Sequence, residues 1–404
     1  MNKDKHIPSG YKLSPLGIIP EDWEVKRLGD CFDICAGRDL VTETYSPTKT
    51  IKHQYPIFSN SLENKGLYGY TSTPRHKANS ITITGRGSLG HAEYREQDFD
   101  AIIRLLVLTP KMEISCELIT NYINFSQPFI YESTGVPQLT APQIQNTRLL
   151  LPPYEEQLRI MDVLHNWDTA IANQTALIEQ LTLRKRGLMQ QLLTGKKRLK
   201  GFSGEWKEVR LGEMGVFFKG GGVPKDKITN SGNKCLTYGD LYTKYDFVIS
   251  DVKSCIDDHT ANESVKIRCG DICFAGSGET KEDIGKCAAF IDNEYGYAGG
   301  DIIVFRANDC SPITLSYILN SSDVIRQKSN MGQGHSVVHI YPYQLEKLLI
   351  KLPSRAEQDA IATILMESDK EIEIQKQKLA AMQVHKKGLM QVLLTGKKRI
   401  NNLQ

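Results

Sequence analysis

Two stretches of the chain carry apolar residues at alternating steps of four and three, which is the spacing of a coiled-coil seam. In the first stretch the seam positions are Ile160, Leu164, Trp167, Ile171, Gln174, Ile178, Leu181, Lys185, Leu188 and Leu192. In the second they are Ile361, Leu365, Ser368, Ile372, Gln375, Leu379, Met382, Lys386, Leu389 and Leu393. The pattern predicts two helices of about 40 residues, each roughly 60 Å long at about 1.5 Å per residue.

The two helical stretches are copies of one another. RGLMQQLLTGKKR, beginning at Arg186, returns as KGLMQVLLTGKKR at Lys387, 201 residues later, and the same shift carries LPPYEEQ onto LPSRAEQ. Prolines and acids suit the start of the first helix, and Gly195 and Gly396 suit the left-handed residue that follows a helix. So long a period indicates duplicated domains rather than a solenoid of short units.

Each predicted helix has a single apolar stripe and therefore needs a partner, and the other copy is the nearest candidate. The pattern permits parallel pairing, antiparallel pairing, or two separate helices that each pack on their own domain. We favour antiparallel pairing, because it would put the two intervening domains at opposite ends of the rod. Gln174 and Gln375 would then lie close across the seam, where polar residues cost stability but can fix the register.

The segments ahead of the helices also echo one another. Each opens with W-x3-R-L-G, at Trp23 and at Trp206, and continues in short apolar runs such as SITITG, AIIRLLVLTP, GDICFAGSG and GDIIVFRAND. Such runs, bounded by glycine and asparagine, are typical of strands. The prediction is an α+β protein in which two pseudo-symmetric α/β domains, residues 1–150 and 202–351, alternate with helical spacer regions, residues 151–201 and 352–404.

Composition places the chain among soluble globular proteins, with 40% hydrophobic and 24% charged residues. It contains no apolar run of membrane-spanning length, and the first residues lack a signal-peptide core, so we expect a cytoplasmic protein. The nine cysteines are scattered and odd in number. They fit reduced thiols better than a metal site, and we expect no metal.

The net charge of +3 says little about partners, but the placement of cations says more. Residues 180–204 contain no acid and seven cations, namely Arg184, Lys185, Arg186, Lys196, Lys197, Arg198 and Lys200. The second copy carries Lys386, Lys387, Lys397, Lys398 and Arg399. A charge run is usually a solvated face, but two matched basic ends favour a nearby polyanion.

No arrangement of residues indicates catalysis. PPY in LPPYEEQ lacks the polar first residue of the adenine methyltransferase loop, and SGETKEDIGKC fails the phosphate-loop pattern at Thr280 and Cys287. His91, His335 and His339 lie in or near loops without an identifiable nucleophile and acid. We therefore expect no catalytic residue.

Two copies of a unit in which LPPYEEQ leads into a heptad helix ending RGLMQQLLTGKKR resemble the specificity subunit of type I restriction-modification systems. The resemblance covers nearly the whole chain. The second copy departs from the pattern at Ser354, Arg355 and Ala356, which puts in doubt only the strength of that helix start.

The resemblance implies two target recognition domains, each reading one half of a split double-stranded DNA target, spaced by an antiparallel coiled coil. It implies two modification subunits that bind S-adenosylmethionine, and restriction subunits that use ATP and Mg, while the specificity subunit binds no cofactor and is not an enzyme. One alternative is a related system with a fused modification-cleavage partner. Another is a coiled-coil scaffold that joins two protein-binding heads.

Polar and aromatic residues in glycine-rich loops are the candidates for DNA contact, because arginine, lysine and amide side chains read base edges. In the first domain they are Asn60, Lys65, Tyr68, Arg86, Ser88 and His91. In the second they are Lys219, Lys225, Ser277, Lys281, Gln333 and His335.

Overall fold

A computed structural model describes residues 7–129, 137–221, 223, 225–334 and 337–400 of the chain. The chain divides into two compact units. The first unit comprises Met1–Thr175 and Gln377–Gln404, and the second comprises Ala176–Lys376. Each unit therefore combines one of the predicted α/β domains with a part of each long helix.

The first unit contains twelve strands among its described residues. They are β1 (Tyr11–Ser14), β2 (Gly17–Pro20), β3 (Glu24–Arg27), β4 (Phe32–Ala36), β5 (Tyr45–Ser46), β6 (Tyr55–Phe58), β7 (Leu67–Thr71), β8 (Ser80–Thr84), β9 (Ala92–Arg95), β10 (Asp100–Ala101), β11 (Leu105–Pro110) and β12 (Arg148–Leu151). Its helices are α1 (Leu28–Cys31), α2 (Cys116–Ser126), α3 (Ala141–Gln145) and the beginning of α4 (Tyr154–Leu192).

The second unit contains thirteen strands in the part that the structure describes. They are β13 (Lys207–Arg210), β14 (Gly215–Lys219), β15 (Asn233–Leu236), β16 (Val248–Ile249), β17 (Cys255–Ile256), β18 (Val265–Ile267), β19 (Asp271–Ala275), β20 (Ser277–Gly278), β21 (Cys287–Phe290), β22 (Gly296–Ala298), β23 (Ile302–Ala307), β24 (Val338–His339) and β25 (Leu349–Leu352). Its helices are α5 (Tyr238–Thr243), α6 (Asp258–Asn262), α7 (Pro312–Leu319), α8 (Ser322–Met331), α9 (Pro342–Leu345) and the beginning of α10 (Arg355–Leu393).

The two units share one sheet arrangement. In the first, the central sheet has the order β4-β11-β8-β9, and in the second it has the order β14-β23-β19-β21-β16. Neighbouring strands are antiparallel except β16 and β21. A second sheet, of four strands, accompanies each, ordered β10-β6-β7-β5 and β17-β15-β22-β18. The α+β class and the duplication predicted from the sequence are thus confirmed.

The repeated W-x3-R-L-G motif builds the junction between each domain and its helix. Strand β3 pairs with β12, and β13 pairs with β25, so the motif lies beside the strand that leads into the long helix. The leucine of each copy is fully buried. A Cβ atom on Gly29 would lie 3.1 Å from Gln145, and one on Gly212 would lie 2.9 Å from Glu346. The close approach of these neighbours explains why glycine follows the leucine in both copies.

Both long helices form where the heptad pattern predicts them. Each has 39 residues and is therefore about 58 Å long. All twenty predicted seam positions, polar ones included, are buried or half-buried. Gly195 and Gly396 have φ of +70° and +69°, as expected of the left-handed residue beyond a helix end.

Within the first unit, α4 and α10 run antiparallel. Asp168 pairs with Lys386, and Glu156 pairs with Arg399 just past the end of α10, so partner numbers fall as α4 numbers rise. Trp167, a predicted seam residue, stacks on His385 with ring centroids 6.2 Å apart. Antiparallel pairing, the arrangement that the sequence analysis favours, is therefore confirmed within this unit.

The second unit repeats the same pairing with the roles of the two helices exchanged. Lys185 pairs with Asp369, and Arg198 binds Glu357 through two hydrogen bonds of 2.7 Å. A shift of 201 residues converts each of these ion pairs into one of the first unit. The helical frame of each unit is thus the same structure built from complementary halves of the repeat. The expected approach of Gln174 to Gln375 joins different units and stays a prediction.

One predicted strand is wrong in detail. AIIRLLVLTP reads as one strand in the sequence, but Ala101 ends β10 and Leu105 begins β11. Between them the chain turns, with the Leu105 N–H donating to the Ile102 carbonyl at 3.1 Å, and leaves Ile103 54% exposed. The turn puts the charged side chain of Arg104 on the surface, which a continuous buried strand would not have allowed.

Candidate nucleic-acid interface

In the first unit, two loops that the sequence singled out meet. Leu139 donates its N–H to the Gly85 carbonyl at 2.9 Å, and Arg86 and Gln138 form an isolated antiparallel β-bridge. GRGSLGHA and the loop ending in PQLTAPQIQ are therefore neighbours in space although about 50 residues separate them in the chain. Their meeting place lies beside the Ile102–Arg104 turn.

The second unit has the same junction. Ile340 donates its N–H to the Gly276 carbonyl at 2.9 Å, and Ser277 pairs with His339 between β20 and β24. Gly276 also donates its own N–H to the Asp301 carbonyl at 2.7 Å, at the turn before β23. Three segments thus converge at one point of each domain, and equivalent residues can be compared between them.

Asn60 holds the Arg86 loop in place. Its Oδ1 accepts hydrogen bonds from the N–H groups of Gly85, at 2.7 Å, and Arg86, at 3.4 Å, and its Nδ2 donates to the Arg86 carbonyl. These bonds occupy the amide of Asn60 with main chain, while the Arg86 side chain is exposed. The structure makes Asn60 a support for the loop and leaves the Arg86 guanidinium available.

Lys65 lies in the turn before β7 and Tyr68 lies in β7 itself, and a buried arginine supports this turn. Arg95, only 5% exposed, donates to the Lys65 carbonyl at 2.9 Å and packs on the Phe58 ring at 3.5 Å. Burial lowers the pKa of Arg95 to about 10, so it stays charged at neutral pH. Lys65 is exposed with a left-handed φ of +54°, and Tyr68 is 48% exposed and contacts Tyr45.

Ser88 and His91 complete the first set of predicted residues. Ser88 is exposed, and its carbonyl accepts a hydrogen bond from the hydroxyl of Thr84. His91 is half-buried, and its Nε2 lies 2.9 Å from Oε1 of Glu93. The contact of His91 with a carboxylate leaves it less available than Arg86 or Lys65.

The predicted residues of the second unit are spread more widely. Lys219 is exposed at the end of β14, Lys281 is exposed on the loop after β20, and Gln333 is exposed with its main chain paired to His339. Ser277 is only 3% exposed, and its hydroxyl lies 2.9 Å from Nδ1 of His339. Its buried hydroxyl is therefore committed inside the protein. His335 and the side chain of Lys225 lie outside the described residues.

Sequence reasoning missed four exposed or half-exposed residues at the junctions. They are Arg104 and Gln138 in the first unit, and Asp301 and Tyr341 in the second. Arg104 lies in an apolar run that the sequence analysis assigned to one strand. The charged residue inside that run was the one sign in the sequence that the strand is interrupted there. His339, noted in the sequence but not chosen, lines the same niche of the second unit.

The basic runs at the helix ends are partly internal. Arg184 pairs with Glu371, and Lys185 and Arg198 pair with acids of α10 in the same unit. These cations therefore stabilise the helical frame, and the nearby polyanion that the basic ends favour stays a prediction. In the described part of the chain, Arg186, Lys196, Lys197 and Lys200 have no ion-pair partner.

No group of three or more His, Cys, Asp or Glu side chains suited to a metal occurs among the described residues. The nine cysteines are all unpaired with one another, and seven of them are buried. Burial raises the pKa of the Cys273 thiol well above its ordinary value, so this thiol is unreactive packing material. None of the described helices is both long enough and apolar enough to cross a membrane.

Comparisons with known proteins agree with this arrangement. The family model described as "Type I restriction modification DNA specificity domain" matches twice, over residues 20–183 and 203–383. The chain is 24% identical to the type I restriction enzyme MjaVIII specificity subunit of Methanocaldococcus jannaschii, with 95% of each chain covered. It is 25% identical to the putative MjaX specificity subunit of the same organism, over 96% of this chain and 97% of that one.

Solved structures share the fold. The S subunit of a type I restriction-modification system from M. genitalium aligns with a TM-score of 0.57 at 16% identity, covering 95% of this chain and 98% of that one. A chain from a structural study of complex assembly in a type I system aligns with a TM-score of 0.60 at 17% identity, covering 94% and 99%. The double family match, each half of which spans one domain and most of one helix, decides the assignment. The chain belongs to the family of type I restriction-modification DNA specificity proteins, and its two unlike domains are its target recognition domains.

Proposed function

We propose that this protein is the non-catalytic subunit that chooses the DNA target of a type I restriction-modification complex. Each recognition domain reads one half of a split double-stranded target, and the paired long helices set the distance between the halves. The base pairs between the halves are not read.

The observation that carries the proposal is an identical frame bearing unlike domains. The ion pairs Lys185–Asp369 and Asp168–Lys386 are equivalent under the 201-residue shift. The surface loops on the two frames differ, with GRGSLG in one and GSGETK in the other. A frame repeated so closely, with recognition loops so different, suits the reading of two different sequences with one geometry.

Helix length supports the division of the target. A helix of 39 residues is about 58 Å long, whereas one turn of B-DNA is about 34–36 Å. A spacer of that size suits half-sites separated by unread base pairs. Exposed cations and amides in the loops suit the two parts of DNA binding, since phosphate contacts position the protein and base contacts specify the sequence.

The partners that we propose are two modification subunits, which bind S-adenosylmethionine, and restriction subunits, which use ATP and Mg. The outer surfaces of the helices offer two equivalent places for two copies of one partner. Leu183 and Val384, which are related by the 201-residue shift, are both large apolar side chains on the helix surface, 66% and 71% exposed. A partner that covers one would cover the other in the same way.

The proposal is tested by selecting bound duplexes from a random pool with the full chain and its modification partner. We expect enrichment of one motif made of two unlike halves at fixed separation. Mapping of methylated adenines in the host genome, with and without this protein, checks the same motif in cells. Enrichment of a single continuous motif, or methylation that does not depend on the protein, would contradict the proposal.

A further inference from the structure

The junction of the three segments forms a niche at the same place in both recognition domains. In the first domain the niche measures about 360 Å³, and in the second about 190 Å³. Both lie between the turn before the longest central strand and the residue that caps the short helix α3 or α9. The caps Thr140 and Tyr341 hold equivalent positions, each closing a capping box with the glutamine three residues on.

The walls of the two niches are chemically opposite at one position. In the first, Arg104 lies at the turn and donates from Nη1 to Oε1 of Gln138 at 2.8 Å. In the second, the equivalent residue is Asp301, and the residue equivalent to Gln138 is His339. The correspondence rests on strand register, because Leu105 pairs with Thr84 just before Gly85, and Ile302 pairs with Ala275 just before Gly276. The main-chain arrangement of the niche is the same in both domains, while the charge of the side chain at the turn is reversed.

The side chains at these positions are available. Arg104 and Asp301 are both exposed, and so is Lys219, which lines the niche with Asp301. Neither Asp301 nor Lys219 has an ion-pair or hydrogen-bonded side-chain partner among the described residues. Arg104 is steadied by the Gln138 amide, which limits the orientations of its planar guanidinium.

We infer that these equivalent niches each read one base pair of the target, and that the reversed charge makes the two half-sites differ there. Arg104 donates to O6 and N7 of a guanine, the pairing that a guanidinium makes with two parallel hydrogen bonds. Asp301 accepts from N4 of a cytosine, and Lys219 donates to the guanine paired with it. The inference rests on the proposed function and adds the base that each niche selects.

Asp301 distinguishes base reading from phosphate contact more clearly than Arg104 does. An arginine at a DNA surface suits a phosphate as well as a base, because both accept hydrogen bonds. A carboxylate repels phosphate, so the DNA partner that suits an exposed Asp301 is a base amino group rather than the backbone. Since Arg104 holds the equivalent place, base reading extends to it.

The test uses the full chain with its modification partner and duplexes in which each position of the selected target is changed in turn. For Arg104→Gln we expect one position of one half-site to change its preference from guanine to adenine, with discrimination altered by about 5- to 150-fold. For Asp301→Asn we expect the preference for cytosine to weaken at one position of the other half-site. Each variant serves as the control for the other, because the half-site that it does not touch must stay unchanged.

Arg104→Lys separates a reading role from a folding defect, because it keeps the cation but loses the bidentate geometry, and guanine should still be preferred with smaller discrimination. Arg148→Gln, an exposed arginine on β12, should change nothing. Uniform weakening of all duplexes by Arg104→Gln, with a shallower dependence on salt, would overturn the inference and make Arg104 a phosphate contact. Unchanged base preferences would also overturn it. If the protein without substitutions selects a split target, the proposed function stands whether or not the niches read bases. If it selects no split target, the proposed function and the inference about the niches both fail.

Discussion

Lys185 and Lys386 are equivalent by the repeat, yet their surroundings differ, and this difference predicts unequal effects of the same substitution. Lys185 is paired with Asp369, and the two side chains are 10% and 37% exposed. Its Nζ also lies 4.3 Å from the centroid of the Phe247 ring. Lys386 is paired with Asp168, and these side chains are 19% and 56% exposed. We expect Lys185→Met to destabilise the protein more than Lys386→Met does.

The magnitude follows from the environment of each pair. Removing one partner of a buried ion pair costs about 3–5 kcal/mol, whereas an exposed pair contributes about 0–1 kcal/mol. With Asp369 about a third exposed, we expect its lost pairing to cost roughly 1–2 kcal/mol. The cation–π contact over Phe247 adds about 1 kcal/mol. Lys185→Met should therefore cost about 2–3 kcal/mol, and Lys386→Met about 0.5–1 kcal/mol.

Urea unfolding followed by circular dichroism measures these costs, and hydrogen exchange shows which unit loses protection. Tyr317 donates its hydroxyl to Asp369, and burial together with this bond raises the pKa of Tyr317. Asp369→Asn preserves an acceptor for Tyr317 but removes the charge, so it should recover part of the loss when combined with Lys185→Met. Equal losses for the two lysine variants, or a larger loss for Lys386→Met, would show that the burial of the Lys185 pair does not set its contribution to stability.

Three further predictions concern Arg86, the glycines that end the long helices, and Lys328. Arg86→Ala should weaken binding to one specific half-site by about 1–3 kcal/mol if Arg86 reads a base, and uniform weakening on all duplexes in a gel-shift titration would make it a phosphate contact. Gly396→Ala should lower the melting temperature more than Gly195→Ala does. Both glycines have a left-handed φ, but the new Cβ would lie 2.6 Å from the Pro20 ring at position 396 and 3.5 Å from the Trp206 indole ring at position 195. Equal shifts in melting temperature would contradict this prediction. Burial lowers the pKa of Lys328, so the unfolded chain binds more protons than the folded one between that lowered pKa and 10.5, and stability rises with pH in this window. Lys328→Met should abolish that rise, as urea unfolding at a series of pH values would show, and a parallel pH dependence in both proteins would count against it.

The helical frame follows from the sequence because its information is local and periodic. A strict four-three spacing over more than four heptads leaves one face to bury, and every seam position is buried or half-buried in the structure. The direction of pairing was not decided by that pattern. The direction depends on which charges face one another. Asp168 pairs with Lys386, and Lys185 pairs with Asp369, only when the helices are antiparallel, because a parallel register would place like charges together.

The recognition surface was harder to predict, because it is made by segments that are distant in the chain. Glycine-rich loops after strands were found, and they do meet a second loop in each domain. Turns decide which side chains face outward, and the hydrophobic pattern does not show every turn. The turn that exposes Arg104 is an example. Ser277, chosen for its place in a loop, is instead buried against His339. The DNA contacts of all the chosen loop residues remain predictions.

The partly internal use of the basic runs has the same origin. A run without acids resembles a surface for a polyanion when it is considered alone. The acids that neutralise Arg184 and Arg198 lie on the other helix, more than 150 residues away in the chain. The composition of a short stretch of sequence cannot reveal an ion pair between two helices that are distant in the chain. An antiparallel register, once assumed, does place Arg198 opposite Glu357.

If the long helices set the distance between two separately read half-sites, longer helices must move the half-sites apart. The experiment inserts seven residues after Thr175 in α4 and seven after Lys376 in α10, at the boundaries of the compact units. One heptad preserves the seam and lengthens each helix by about 10.5 Å, which equals about three base pairs at 3.4 Å each. In a map of methylated adenines from cells that carry the lengthened protein with its partner, we predict the same two half-sites separated by about three more base pairs. The same half-sites at the original separation would contradict the claim.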